Sequence, residues 1–292
     1  MGRITRVQRT APTLELYAKA AAGSVLPGAV WGGGTELPDE TLERLVAGDP
    51  EQVAAYNEVC GFAAADPLPI TYPHLLGFPL SLQLMSARGF PLPMLGMVHV
   101  TNAITVHRPV PAAEDLLVSV RAAGPFPHRR GAEVDLITEV HQDDALLWEE
   151  TTTYLARGSE IASGEPRPRV EWPIPSSRAH IREVRIGGDI GRRYGSVSGD
   201  RNPIHINTIG ARAFGFKRPI AHGMWMLANC LAVAGLSFRP PYRVSTAFRK
   251  PVPIPGQVRL LTATEQGQLR IWLTGPTAEQ VHLVTTVDRI GE

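Results

Sequence analysis

Apolar and polar positions alternate over Val244 to Lys250, Val258 to Glu265, Leu269 to Leu273 and Val281 to Asp288, separated by turn residues. A period of two with β-branched enrichment predicts half-buried strands. Ile104 to Arg108, Leu116 to Ala122, Ala132 to His141 and Leu146 to Ala156 repeat the pattern earlier in the chain. Before the later set lies Met224 to Leu236, apolar on nearly every face and interrupted by Asn229. That segment predicts a helix needing cover all round, too short to cross a bilayer. Strands curling around one buried helix give an α+β class for each half.

The two halves also match in sequence. Arg108-Pro109-Val110-Pro111 resembles Lys250-Pro251-Val252-Pro253, and Tyr56-x-x-Val59-Cys60-Gly61 resembles Tyr194-x-x-Val197-Ser198-Gly199, in the same order and at nearly the same separation. Two ordered matches predict a duplicated architecture. Between them, Ser159 to Ser177 carries Gly164, Pro166, Pro168, Pro173 and Pro175 without periodicity, as an extended connection does. The expected organisation is a first domain at 1–158, a linker at 159–177 and a second domain at 178–292.

Composition narrows the function. With 292 residues, 43% apolar and 20% charged, the chain has the make-up of a globular protein with a substantial core. A net charge of +1 without a basic run interleaved with aromatics argues against a nucleic-acid or polybasic membrane partner and for a small molecule. Cys60 and Cys230 have no metal-ligand spacing, and no apolar leader precedes them, so a reduced, cytoplasmic setting is expected.

Reactive side chains are densest in Tyr194-Gly-Ser-Val-Ser198-Gly199-Asp200-Arg-Asn202-Pro203-Ile-His205, followed by Ala221-His222-Gly223 at the head of the apolar helix. Pro203 restricts Asn202 to extended or turn geometry, so Asp200 and His205 are expected on a bend that aims both into one exposed cleft. A carboxylate and an imidazole can share one water and pass protons near neutrality. Gly223 brings the free N–H groups and partial positive charge of a helix start, suited to a thioester oxygen gaining enolate character. Singly, each residue has a plainer reading: Asp200 as a turn residue, His205 as a packed histidine, His222-Gly223 as a cap. Asp200, His205 and His222 also suggest a metal set, but no recognised zinc spacing is present and no metal is expected.

This run resembles the signature of the MaoC-like dehydratases, the hydratase 2 family of (R)-specific enoyl-CoA hydratases, through Tyr194, Ser198-Gly199-Asp200, Asn202-Pro203-Ile204-His205, Ala211 and His222-Gly223. The resemblance implies a double hot dog: two antiparallel sheets, each wrapped around a central helix. It implies Asp200 and His205 as the catalytic pair, Gly223 as backbone oxyanion donor, and Tyr194, Ser198, Asn202 and His222 in support. The implied reaction is reversible syn addition of water to a trans-2-enoyl thioester, giving the (3R)-hydroxyacyl thioester. The substrate would arrive on coenzyme A or acyl carrier protein, with no cofactor, and Lys217, Arg249 and Lys250 are candidate phosphate contacts.

In the first half Phe62 stands where the second has Asp200, and Pro67 where it has His205. That half is expected to be a scaffold without its own site. Its segment Phe78 to Met85, with Phe90, Leu92 and Met94, would line an acyl pocket or simply pack the core. The competing functions are a hot-dog thioesterase, which would release the free acid, and a non-catalytic acyl-thioester-binding subunit; a homodimer fits either.

Overall fold

The computed structural model describes residues 2–13, 15–17, 36–63, 66–87, 89–168, 179–235, 239–265, 267–277 and 279–290. Along the chain, strands β1 (Arg3–Arg6) and β2 (Glu40–Val46) precede helices α1 (Pro50–Cys60) and α2 (Pro73–Met85). Strands β3 (Val98–Val106), β4 (Leu116–His128), β5 (Gly131–Gln142) and β6 (Ala145–Arg157) complete the first series. The second opens with β7 (His180–Ile186), α3 (Ile190–Ser198), α4 (Pro203–Ile206), α5 (Thr208–Ala213) and α6 (Gly223–Ala234). It closes with β8 (Tyr242–Phe248), β9 (Gly256–Glu265), β10 (Gln268–Thr274) and β11 (Val281–Arg289).

Two compact units interleave along the chain. One holds Met1–Gly48, Pro73–Asn102 and Glu114–Val170; the other holds Asp49–Tyr72, Ala103–Ala113 and Glu171–Glu292. Helix α1, ahead of the linker read from sequence, therefore packs with the later unit. Its contacts explain this: Trp225 Nε1–H donates to the Val59 carbonyl at 3.0 Å, Asn229 Nδ2–H to the Cys60 carbonyl at 3.2 Å, and Gln52 Nε2–H to the Val197 carbonyl at 3.2 Å. The linker residues 159–168 have no regular structure; 169–178, with Pro173 and Pro175, lie outside the described residues, as does Leu236.

The duplication is visible in the pairing. Hydrogen-bonded order is β2-β4-β5-β6-β3 in the first series and β7-β9-β10-β11-β8 in the second, the same scheme twice. Helices α1 and α3 both end on a left-handed glycine, Gly61 at φ 89° and Gly199 at φ 75°, a geometry that other residues adopt at a cost. Both Pro-Val-Pro segments present their valine carbonyl to the strand of chain before a helix, Val110 to Leu68 N and Val252 to Ala221 N, each at 2.8 Å.

One expectation needs correction. The two antiparallel sheets are replaced by a single hydrogen-bonded order of eleven strands, β1-β2-β4-β5-β6-β3-β8-β11-β10-β9-β7, and it is mixed because β1 runs parallel to β2. Strand β3 also starts at Val98, ahead of the expected Ile104, since polar His99 and Asn102 are accommodated: His99 lies 5.1 Å from the Tyr154 ring, and Asn102 Nδ2–H donates to Glu150 and Thr152.

In the later unit α6 buries Met224, Trp225, Met226, Leu227, Ala228, Cys230 and Leu231, on all faces, as its composition requires. It packs on β10 and β11 and stops at Gly235 in the left-handed region, φ 65°. In the other unit α2 packs on β2, β4 and β5, closest at Gly77, where a Cβ would press on Thr138. Phe78, Leu80, Leu82, Leu84, Met85, Phe90, Leu92 and Met94 are all buried, as core residues.

Candidate active site

Helix α3 is the platform on which the reactive loop rests. Gly191 and Gly195 lie one turn apart, and both face that loop. A Cβ on Gly191 would collide with the His205 carbonyl oxygen, and one on Gly195 would stand 2.9 Å from the Asp200 carbonyl oxygen. Glycine at these two positions lets loop and helix touch backbone to backbone.

Leaving α3, the chain is turned by side chains that each accept from the amide two residues on. Ser198 Oγ accepts from Asp200 N at 3.1 Å, Asp200 Oδ1 from Asn202 N at 3.1 Å, and Asn202 Oδ1 from Ile204 N at 3.3 Å. Such local bonds are what Ser, Asp and Asn do best. They fix Asp200 Oδ1 in the loop and give Ser198 and Asn202 holding roles. Asn202 then caps α4, with Pro203 at the first helical position, where a missing N–H costs nothing. His205 thus rides on a four-residue helix and not on the open bend expected from sequence.

Nor is the pair exposed. His205 is 9% exposed, while the Asp200 side chain keeps 23% of its surface. His205 Nδ1–H donates to the Ile220 carbonyl at 2.8 Å, so the neutral ring carries its lone pair on Nε2. Burial lowers the His205 pKa from its ordinary 6.5, opposed by the charge of Asp200 and the Ile220 carbonyl.

His222 stands at the N-cap of α6 without making a side-chain cap bond. Its Nε2–H donates to the Asp200 carbonyl at 3.0 Å, and the same nitrogen lies 3.8 Å from Asp200 Oδ2. Its ring stacks on His205 at 3.8 Å between centroids and lies 4.8 Å from that of Tyr194. Burial, reinforced by His205, pushes its pKa down to about 3 against the pull of Asp200, so the ring is neutral at physiological pH. Tyr194 is buried behind it, 6.3 Å from Tyr56, whose hydroxyl donates to Thr71 at 2.8 Å.

Gly223 opens α6, where the first amides have no intrahelical acceptor. A Cβ there would lie 3.3 Å from the Phe248 ring, so a side chain would press on that ring. Lys217, Arg249 and Lys250 are exposed; the amides of the last two donate to the His282 carbonyl at 2.8 and 3.4 Å. Asp200, His205 and His222 each offer a donor atom within 4.8 Å of the others, a set open to a divalent cation, although one nitrogen of each ring is already given to a backbone carbonyl.

The corresponding loop of the first half carries other residues. Phe62 stacks on Tyr56 with centroids 6.3 Å apart, and Asp66 Oδ1 accepts from Ala112 N at 3.2 Å. No histidine occurs between Gly61 and Tyr72. The cysteines are poor nucleophiles, since burial pushes both Cys60 and Cys230 up to about 12. Sequence reasoning passed over Gly191 and Gly195, although glycines at i and i+4 inside a helix are a legible signal of close backbone approach.

The chain is similar to known proteins. The family model described as "MaoC like domain" matches residues 174–271. The chain is 37% identical over 258 residues to 3-hydroxyacyl-thioester dehydratase X of Mycobacterium tuberculosis, covering 86% of this chain and 90% of that one. The crystal structure of that protein, HtdX, superposes with a TM-score of 0.73 over 85% of this chain and 98% of its own. The peroxisomal enoyl-CoA hydratase 2 of Arabidopsis thaliana is 28% identical over 144 residues, 45% of this chain and 46% of the relative. Identity sustained along nearly the full length of a known dehydratase makes this chain a member of the MaoC-like dehydratase family.

Proposed function

We propose that the protein is a hydro-lyase that interconverts trans-2-enoyl thioesters and (3R)-hydroxyacyl thioesters, as a 3-hydroxyacyl-thioester dehydratase acting in fatty-acid metabolism. The observation that carries the reading is the polarity of His205: neutral, with Nδ1–H given to Ile220 and its Nε2 lone pair left for a water shared with Asp200. Its duplicated organisation is that of a double hot dog, with halves at 1–158 and 178–292 joined by 159–177, and α2 and α6 as the central helices.

In the hydration direction the water oxygen bonds to C3, and the displaced π pair runs through C2 onto the thioester oxygen. The Gly223 amide at the head of α6 stabilises that oxygen. As the oxygen bonds to C3, the Asp200–His205 pair takes one proton from the water, and the pair then delivers a proton to C2 on the same face, which restores its own charge as the carbonyl re-forms. Tyr194, Ser198, Asn202 and His222 hold the pair; Lys217, Arg249 and Lys250 contact the phosphates of a coenzyme A or carrier-protein arm. No step requires a metal or cofactor, and the first half contributes scaffold.

The test follows the absorbance of a trans-2-enoyl-CoA, with the stereochemistry of the alcohol resolved. Hydration to the (3R) product that falls by about 10²- to 10⁴-fold in Asp200→Asn and in His205→Gln supports the reading. Release of free coenzyme A would mark a thioesterase, and binding without turnover an acyl-binding subunit.

A further inference from the structure

The short segment 219–223 supplies several parts of the proposed site: the Ile220 carbonyl that fixes His205 Nδ1–H, the His222 ring and the Gly223 amide. A strap of chain, 248–254, runs antiparallel beside it. The Phe248 ring lies against Gly223, Ala221 N donates to the Val252 carbonyl at 2.8 Å, Ile220 bridges to Pro253, and Ile254 N donates to the Pro219 carbonyl at 2.8 Å. Val252 and Ile254 are buried, while Pro251 and Pro253 have no N–H to place. Where the strap stands therefore decides where the Ile220 carbonyl stands.

The strap is held to the sheet by a buried histidine. Pairing of β8 with β11 runs as far as Phe248 with Leu283, and the neighbouring residue of β11 is His282, which is 2% exposed. Its carbonyl accepts from Arg249 N at 2.8 Å and from Lys250 N at 3.4 Å, and its Nδ1–H donates back to the Lys250 carbonyl at 3.1 Å. The first half makes a plainer form of this contact. There the Val110 carbonyl accepts from Leu68 N, again at 2.8 Å, but β6, which takes the place of β11 in that series, contains no histidine. The strap is common to both halves; the histidine clamp belongs to the half with Asp200 and His205.

We propose that His282 is a positioning residue for the hydration: through Lys250 and the strap it sets the Ile220 carbonyl, and so keeps His205 in the tautomer whose Nε2 lone pair is open. The inference rests on the hydration reading above and adds to it a residue that touches no substrate. Without the bond from His282 Nδ1–H the strap loses part of its hold on the sheet, and Ile220 moves with it. Once the Ile220 carbonyl leaves hydrogen-bond range, nothing favours the proton on His205 Nδ1, and the form with Nε2–H closes the lone pair to water. The coupling runs through contiguous backbone contacts, each of them a stated hydrogen bond or bridge.

His282→Asn and His282→Leu test it, because an asparagine amide N–H takes the place of Nδ1 and leucine fills a similar space without a donor. Two readouts are compared in the full chain: the tautomer of His205, from imidazole nitrogen chemical shifts assigned by their loss in His205→Gln, and kcat and KM on a trans-2-enoyl-CoA. In His282→Leu the His205 ring should pass in part to the Nε2–H form and kcat should fall about tenfold, with KM within about twofold of wild type. His282→Asn should restore both. Where His282→Leu does not fold, His282→Gln, whose amide takes the place of Nε2 and not of Nδ1, stands in for it. An unchanged tautomer in the donor-lacking variant overturns the proposal, as does a changed tautomer with kcat unaffected. Impairment of His282→Asn equal to that of His282→Leu overturns it too, since packing and not the donor would then matter. A tautomer that follows the donor in a protein that hydrates no enoyl thioester upholds the clamp on His205 and overturns the hydration reading instead.

Discussion

His222 lies stacked on His205 with ring centroids 3.8 Å apart, and its Nε2–H is fixed on the carbonyl of Asp200. One neutral ring thus touches both members of the proposed pair, sidewise to the imidazole and head-on to the backbone of the acid. Protonating it would place a positive charge against the His205 ring in a buried place.

That arrangement has a cost in acid. With the folded pKa of His222 at about 3 and an ordinary value of 6.5, both states are neutral above about pH 6.5. As pH falls, the unfolded chain takes up the proton and the folded chain resists, so stability declines from about pH 6.5 down to about 3, by a total on the order of 5 kcal/mol. His222→Gln keeps an N–H for the Asp200 carbonyl but cannot titrate. Denaturation midpoints measured across this range should fall less steeply in the variant; parallel curves would show that His222 does not govern the acid limb.

Activity should have its own acid limb, set by His205. Burial lowers its pKa, so the lone pair on Nε2 survives below the usual 6.5 and is lost as pH drops through the lowered value. A profile of log kcat/KM against pH on a neutral pantetheine thioester should stay flat through pH 6.5 and break below it. A break at or above 6.5 would mean that the acting base is not a desolvated histidine.

Gly191→Ala should damage catalysis more than its size suggests. The new methyl would collide with the His205 carbonyl oxygen, a backbone atom that cannot swing aside. The loop must lift from α3, moving His205 relative to Asp200, and an error of about 1 Å in such geometry costs on the order of 10²-fold. A drop of that order in kcat, with secondary structure retained by circular dichroism, is expected. Gly215→Ala is no control, because Gly215 sits at φ 83°; Gly89, with open space around its Cβ position, is, and Gly89→Ala should leave kcat unchanged.

What could be read from the sequence follows from how local the signals are. Strand alternation and the all-round apolar character of α6 are local patterns, and each led to the right element, while the Asp-x-Asn-Pro-x-His run led to the family. Strand β7 was missed because four of its seven residues are charged or histidine, the dress of an edge strand exposed along most of its length. The strand order was missed because which strands become neighbours is a nonlocal matter that period-two patterns do not encode. The depth of His205 was missed for the same reason: burial is set by α3 and Ile220, which meet it only in the fold.

A second nonlocal cluster gives the remaining prediction. Glu150 is buried in β6, accepting from His74 Nδ1 at 2.8 Å and from Asn102 Nδ2 at 2.6 Å, with side-chain exposure of 1% for Glu150 and 11% for His74. Burial opposes its charge, but the charge of His74 and the hydrogen bonds from His74 and Asn102 outweigh that and hold its pKa below the ordinary 4.5. A carboxyl depressed in the folded state stabilises above its unfolded pKa, and that stability is lost as pH falls through the folded value. Glu150→Gln should therefore cost about 3–5 kcal/mol near neutrality, with the difference from wild type shrinking below about pH 4. The double replacement His74→Phe/Glu150→Leu should recover most of the loss, because it removes the unpaired polar group together with the pair. Chemical denaturation of the three proteins at two pH values decides the matter, and a Glu150→Gln deficit that is the same at both would show that packing, and not the ion pair, holds this part of the unit together.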